Sequence, residues 1–379
     1  MECRKLYYED CLLRSFTATV TGCDPTEKGW EVTLDATAFY PEGGGQACDL
    51  GTLGNARVLD VRERDGRIIH LCDAPVSGSV EGLLDWERRF DLMQQHTGEH
   101  ILSGLIYDRF GWHNTGFHVG KDTMEVDFSG PIPADALAEL EQQANAIVWE
   151  NRPIRCWIPS LEELPGVTYR TKRALDWPVR IVDIPGADTC ACCGVHVATT
   201  GQVGLIKILS AAKFHGGIRL QLVCGKRAYD HIAAVYEQNR QVSQLFSAKV
   251  LETGAAAQKA SEALADEKLR ANTLQSQLFD RMAEDYVNQK DVLCFADPLD
   301  GGQLRELAEK ISAKCSGYAA VFSPKDGGYA YCLAQPDGDL RQLCKDMNAA
   351  LSGRGGGKPP FQQGTVSACE ADIHSFFGM

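Results

Sequence analysis

The 379-residue chain changes its repeat near Trp86. Before that point, apolar and polar residues alternate in "TATVTG", "WEVTLDATAFY", "ARVLDVRERDGRIIHLC" and "GSVEGLLDW". That is the period-two pattern of strands with one buried face. Gly, Asp and Pro turns break these runs at close intervals, which predicts a small barrel or sandwich over residues 1–90. From "WERRFDLMQQHTGEHILSGLIYDRF" onward, Phe90, Met93, Ile101, Leu105 and Ile106 fall at helical spacing. A chain holding both patterns is expected to fold as α+β.

The remaining sequence sorts into three further stretches. Over residues 91–226, "TMEVDFSG", "PVRIVDIPG" and "GQVGLIKILSAAKFHGGIRLQLVCG" read as strands, and "PADALAELEQQANAIVWENRPI" as a helix between Pro133 and Pro153. Residues 227–288 are rich in Ala, Glu, Gln, Lys and Leu. They predict one or two long helices with a break near Gly254, serving as a linker or a dimerisation arm. Residues 289–379 read as a small α/β domain. Its strands are "DVLCFAD" and "YAAVFSP", its helices "GGQLRELAEKISAKCSG" and "DGDLRQLCKDMNAALSG", and "GGGKPPFQQG" is a glycine-rich loop.

Composition narrows the function classes. With 44% hydrophobic and 23% charged residues the chain is ordinary globular material. It has no run of apolar residues long enough to span a membrane, and acids interrupt its N-terminus where a signal peptide is apolar. A cytoplasmic protein is expected. Fifteen scattered cysteines then read as buried thiols or metal ligands rather than a disulfide framework. The net charge of -13 argues against a broadly nucleic-acid-coating surface, so any RNA contact needs a local basic patch. The candidates are Arg152 with Arg155; Arg170, Lys172 and Arg173; Lys213, Arg219, Lys226 and Arg227; and Arg354 with Lys358.

His96 and His100 are four residues apart, so one helix face carries both imidazoles. Downstream, "PGADTCACCGVHVATTG" is turn-rich and places Cys192 and His196 at the same separation. The two pairs supply the nitrogen and sulfur donors that suit zinc. Cys190 and Cys193 compete with Cys192 for the thiolate position. The letters His96-Thr-Gly-Glu99-His100 also spell the inverted zincin pattern, in which a glutamate is the general base of a peptidase. That pattern needs a third, downstream glutamate ligand, and Glu99 otherwise reads as a solvated helix residue. Three consecutive glycines in "FYPEGGGQACDLG" demand unusual backbone angles or a close approach to the main chain. Neither they nor "GRGGGKPP" form a P-loop.

"TAFYPEGGGQACDLG", "HTGEHIL", "CCGVHV" and "GGIRLQLVCGKRA" together resemble the editing half of alanyl-tRNA synthetase and its free-standing relatives, the AlaX-type editing proteins. The resemblance covers residues 1 to about 230. "GRGGGKPPFQQG" resembles part of the DHH-associated domain that ends alanyl-tRNA synthetases, and the helical stretch resembles the linker between the two. The whole is similar to the long form of the free-standing editors. Nothing in the chain is a candidate for an aminoacylation domain, so no tRNA charging is expected.

The resemblance implies a zinc-dependent deacylase that hydrolyses tRNA for alanine mischarged with serine, with glycine as a further substrate. It also implies roles for residues. His96, His100, Cys192 and His196 would hold Zn2+. Thr37 would face the substrate side chain, and Gly43, Gly44, Gly45 and Gln46 the 3′-terminal adenosine. Arg354, Gly355, Gly356, Gly357 and Lys358 would contact the tRNA body. Glu99 and His118 are candidates for proton transfer. Cys193 and Val195 depart from the family pattern, which commonly has Gly and Thr there. A homodimer through the linker or the C-terminal domain is compatible with this plan. The competing readings are an inverted-zincin metallopeptidase and a non-enzymatic tRNA-binding zinc protein.

Overall fold

A computed structural model describes residues 3–171 and 177–379. The chain forms two compact units, Met1–Gln241 and Val242–Met379.

In the first unit, six strands pair antiparallel into a closed ring. Its order is Ser15–Thr26, Gly29–Leu34, Arg67–Cys72, Ala56–Arg64, Gly51–Leu53 and Ser79–Leu84, which returns to the first. Strict alternation drives it: along Ser79–Leu84, Val80, Gly82 and Leu84 are buried and their neighbours exposed. The helix Trp86–Phe110, called the site helix below, follows directly and buries most of its circumference. It packs beside the helix Ala134–Trp149. A four-stranded antiparallel sheet supports it, in the order Ile206–Phe214, Gly217–Cys224, Met124–Phe128, Asn114–Val119. A three-stranded sheet of Arg155–Trp157, Ile181–Ile184 and Asp188–Ala191 completes the unit. One apolar core runs from Phe16 and Phe39 through Met93, Ile101 and Ile106 to Leu222.

The α+β expectation holds, with local differences. Asn114–Val119 is a strand that the sequence pattern does not announce, because its alternation is weak. Asp188–Ala191 is also a strand, although the surrounding stretch reads as turns; it spans four residues only. The long helical region forms two helices, Gly225–Leu245 and Thr253–Glu284. The break falls at 246–252, where Ser247 has a positive φ of 49°, and Gly254 lies inside the second helix.

The second unit carries a five-stranded sheet in the order Val292–Phe295, Ala319–Lys325, Gly328–Ala334, Phe361–Val366, Arg354–Gly356. Its first pair is parallel, joined through the helix Gly301–Ser312, and the others are antiparallel. Asp300 caps that helix by accepting hydrogen bonds from the Gly302 and Gln303 amides. Separate apolar clusters cover the two faces of the sheet. The "GRGGG" segment is not wholly loop: Arg354–Gly356 forms the sheet's edge strand.

Candidate metal centre

The site helix begins where the Asp85 carboxylate accepts a hydrogen bond from the Arg88 amide, and ends at Gly111 in the left-handed region, φ 71°. The helical period sets the His96 and His100 rings side by side, with centroids 5.1 Å apart. Gly104 lets this helix touch the turn before Asp188. A Cβ there would sit 2.0 Å from the Ala187 carbonyl oxygen.

Residues 192–196 leave the strand Asp188–Ala191 as a turn held from three sides. The Arg180 guanidinium donates to the carbonyls of Cys192 (3.0 Å) and Gly194 (2.8 Å). The Tyr8 hydroxyl donates to the Cys193 carbonyl (2.7 Å). The Val195 amide donates to Gln46 Oε1 (3.2 Å). This clamp carries Cys192 and His196 to the helical pair, and the ligand atoms of His96, His100, Cys192 and His196 lie within 4.8 Å of one another. All three imidazoles are buried.

Each imidazole is oriented through its Nδ1. His96 Nδ1 meets Gln46 Oε1 at 2.8 Å, His100 Nδ1 meets Asp188 Oδ2 at 3.0 Å, and His196 Nδ1 meets Thr97 Oγ1 at 3.2 Å. Protons on the three Nδ1 atoms leave three Nε2 lone pairs for a common centre, the usual support of metal-binding histidines. Cys192 Sγ is 3.4 Å from His96 Nε2. His196 Nε2 is buried and has no hydrogen-bond partner among the described residues. An orphaned acceptor of this kind costs free energy unless something binds it, and a metal ion fits it.

Charge follows the same geometry. Burial opposes the Cys192 thiolate, but His96 and His100 pull its pKa well below the ordinary thiol value. Burial pushes the Cys190 thiol up to about 12, against the pull of His100. Burial disfavours charge on His100, yet Cys190, Cys192 and Asp188 raise its pKa well above the ordinary value. Burial and the neighbouring His96 lower His196 to about 3, so that ring is neutral. Asp188 resists its own burial because His100 and Arg170 hold it down at about 2. Asp188 and Cys190 form a second grouping with His100, on the Nδ1 side of the ring. Cys193 is exposed.

A cavity of about 530 Å³ opens beside the cluster, lined by Gly44, Gly45, Phe117, Arg170, Glu99 and Cys192 among others. Gly44 and Gly45 have φ of 60° and 84°, the two positive values of a type I′ turn, closed by Gly43 and Gln46 amide–carbonyl bonds of 3.1 and 3.0 Å. A Cβ on Gly45 would lie 2.5 Å from the Phe117 ring. Gln46 is buried and points to His96 rather than to the cavity mouth.

Other expected site residues lie elsewhere. Thr37 is fully buried, 2.9 Å from His70 Nε2, and is not among the residues lining the cavity. The strand Ala36–Thr37 turns its hydroxyl inward, where it also accepts from the Phe39 amide. His118 is exposed and lines a different hollow, beyond the glycine turn with Arg62 and Glu63. Glu99 is not solvated: it is 4% exposed and accepts hydrogen bonds from Ser103 Oγ and Asn114 Nδ2. Several of the expected basic positions are committed to carboxylates. Arg170 holds Asp188, Arg219 holds Asp127 and Glu125, and Arg227 holds Asp91. Lys172 and Arg173 lie outside the described residues. Arg354 and Lys358 are exposed in the second unit.

Asp188, Thr97, Arg180, Tyr8, Ser103 and Asn114 were not legible as site residues. Thr97 and Asp188 left a signal, a polar side chain inside the histidine pair and a carboxylate two residues before Cys190. Ser103 is one helical turn from Glu99 but reads as an ordinary helix residue, and Arg180, Tyr8 and Asn114 meet the site only through the fold.

This helix-borne histidine pair facing a Cys-x3-His turn defines a class of domain. Residues 179–220, which carry Cys192 and His196, match the family described as the threonyl and alanyl tRNA synthetase second additional domain. Over longer spans the chain is similar to alanyl-tRNA editing protein AlaX-L of Pyrococcus horikoshii, 34% identical across 59% of this chain and 58% of that protein. It is 26% identical to an alanyl-tRNA editing protein of Danio rerio across 95% of this chain and 93% of that protein. It is 34% identical to an alanine–tRNA ligase of Ignicoccus hospitalis, across 64% of this chain and 28% of the ligase. The chain is thus similar to alanyl-tRNA editing proteins and to part of the alanine–tRNA ligases. It spans 28%, 42% and 55% of the Ignicoccus ligase, the Thermofilum pendens ligase and the mouse editing protein, respectively.

Proposed function

We propose that the chain is an aminoacyl-tRNA hydrolase that removes serine, and also glycine, from mischarged tRNA for alanine. It acts in trans, on tRNA already charged. The observation that carries the reading is the convergence of three oriented Nε2 atoms and a low-pKa thiol beside a cavity with a glycine-turn rim. The donor set of His96, His100, Cys192 and His196 suits zinc. When bound, zinc would supply Lewis acidity toward an ester carbonyl or a water. Gln46, Asp188 and Thr97 fix the ring planes, and Arg180 and Tyr8 fix the Cys192–His196 turn, so the site needs little rearrangement on loading. The rim residues Gly43–Gly45 give the 3′-terminal adenosine close access to backbone amides. Water is the nucleophile, and the products are a free amino acid and an intact tRNA. A second sieve is needed in principle because a pocket for alanine cannot strongly exclude glycine or serine.

Residues 1–90 and 91–226 would form the editing portion and 227–288 the linker. The unit with residues 289–379 would be a DHH-associated domain whose Arg354, Gly355, Gly356, Gly357 and Lys358 meet the tRNA backbone. A homodimer through the linker or that domain, in the cytoplasm, completes the proposal. No helix among the described residues is long and apolar enough to cross a membrane.

A peptidase of the inverted zincin type is disfavoured, since Cys192 and His196, not a glutamate, complete the cluster. The test is release of amino acid from Ser-, Gly- and Ala-tRNA for alanine and from an unrelated aminoacyl-tRNA. Cleavage of the seryl and glycyl forms, with the alanyl and unrelated forms spared, is expected. Binding of all four without any release would replace the enzyme by a tRNA-binding zinc protein.

A further inference from the structure

We propose that Glu99 recognises the α-ammonium group of the aminoacyl ester, so that the site selects esters with a free amino group over N-acylated ones. The inference rests on the deacylase reading above and assigns the part of the substrate that Glu99 holds.

Glu99 lies on the site helix immediately before His100, lines the cavity and is 4% exposed. Its carboxylate is pinned from one side only. Ser103 Oγ, one helical turn on, and Asn114 Nδ2, at the start of the strand Asn114–Val119, both donate to Oε1. Oε2 faces the ligand cluster, 3.8 Å from His100 Nε2. With both neutral donors on Oε1, Oε2 is the carboxylate oxygen turned toward the cavity. A carboxylate placed this deep suits a cationic partner. The nearby cation Arg170 is engaged by Asp188, at 3.0 and 2.8 Å.

The substrate supplies a cation at the right separation. In an aminoacyl ester the α-nitrogen is two bonds from the carbonyl carbon, about 2.5 Å away. An ester carbonyl placed against the His96–His100–Cys192–His196 cluster therefore brings its ammonium next to the cluster's rim, where Glu99 Oε2 lies. An ammonium has three donors and no acceptor, which matches a carboxylate oxygen and no neutral group of the cavity as well. A metal at the cluster would repel a bare ammonium, and an interposed carboxylate offsets that repulsion. The two donors on Oε1 fix the carboxylate before substrate arrives.

The test compares Ser-tRNA with N-acetyl-Ser-tRNA, both specific for alanine, on the zinc-loaded full chain and on Glu99→Gln. Wild type is expected to cleave the free-amine ester about 10- to 100-fold faster, the range for a charge-assisted hydrogen bond. Glu99→Gln should lose most of that ratio while keeping full zinc stoichiometry. Competition by a non-hydrolysable 3′-amide-linked seryl adenosine provides a second readout on the wild type: N-acetylation should weaken it by a similar factor. Equal cleavage of the two esters by wild type, or an equal fall for both in Glu99→Gln, would overturn the assignment and make Glu99 a proton-transfer or structural group. Absence of cleavage of either ester by zinc-loaded wild type would sink the deacylase reading itself, and this inference with it.

Discussion

Three histidine rings set one common point because something holds the back of each. Asp188 is the most exposed to test, since it joins His100 to Arg170. Asp188→Asn keeps the shape but removes the charge. It should weaken zinc affinity about 10- to 100-fold in a chelator competition, as loss of an orienting partner does. The same carboxylate gives a pH signature in the metal-free protein. Its folded pKa of about 2 lies below the ordinary value of 3.8, so its contribution is present above pH ~4 and lost as pH falls through about 2. Wild type should lose about 2 kcal/mol more than Asp188→Asn between pH 4 and 2, read by denaturant midpoints. At this scale the sequence showed the two pairs, because equal spacing is local. It did not show Gln46 behind His96, which lies fifty residues away, nor the burial of Glu99, which depends on Ser103 and Asn114 closing over it.

The elements matter through their contacts. The site helix and the strand Asp188–Ala191 meet where Gly104 faces the Ala187 carbonyl. Alanine is the better helix former by about 1 kcal/mol, so propensity alone favours Gly104→Ala. The clash with backbone should win: the variant should be less stable by about 1–3 kcal/mol in urea unfolding and should bind zinc more weakly, because Asp188 moves with the turn. A more stable, fully metal-binding variant would show that the two elements are not locked together. Helices with clear 3.6-residue periodicity, such as Ala134–Trp149, were legible in the sequence, as were long alternating strands. Asp188–Ala191 was not, since four residues carry too little pattern to separate strand from turn. The same shortness hid Arg354–Gly356, whose glycines read as loop.

At the scale of the molecule, the proposed tRNA binding by an acidic chain requires a local source of attraction. Many basic side chains of the first unit are tied in ion pairs, whereas Arg354 and Lys358 of the second are exposed. Replacing Lys358 by Ala should lower tRNA affinity in the same proportion for correctly and wrongly charged tRNA. It should also flatten the salt dependence by about one unit of log–log slope, the mark of a lost phosphate contact. Unchanged affinity and slope would move the tRNA contact elsewhere. The order of strand-rich, α+β, helical and α/β stretches was readable from composition and period. The joining of "HTGEH" with "CCGVH" was expected from their donor sets and is what the fold shows; the sheet contacts that hold them together were not readable, because they link segments far apart in the chain.

The central claim is that ester hydrolysis depends on the four-residue metal centre. The most direct measurement is the single-turnover rate of serine release from Ser-tRNA for alanine, by protein stripped of metal, protein reloaded with one equivalent of zinc, and Cys192→Ala treated alike. The account predicts release by the reloaded wild type only, with the stripped protein and Cys192→Ala slower by at least about 100-fold. Equal rates from stripped and reloaded protein would contradict it.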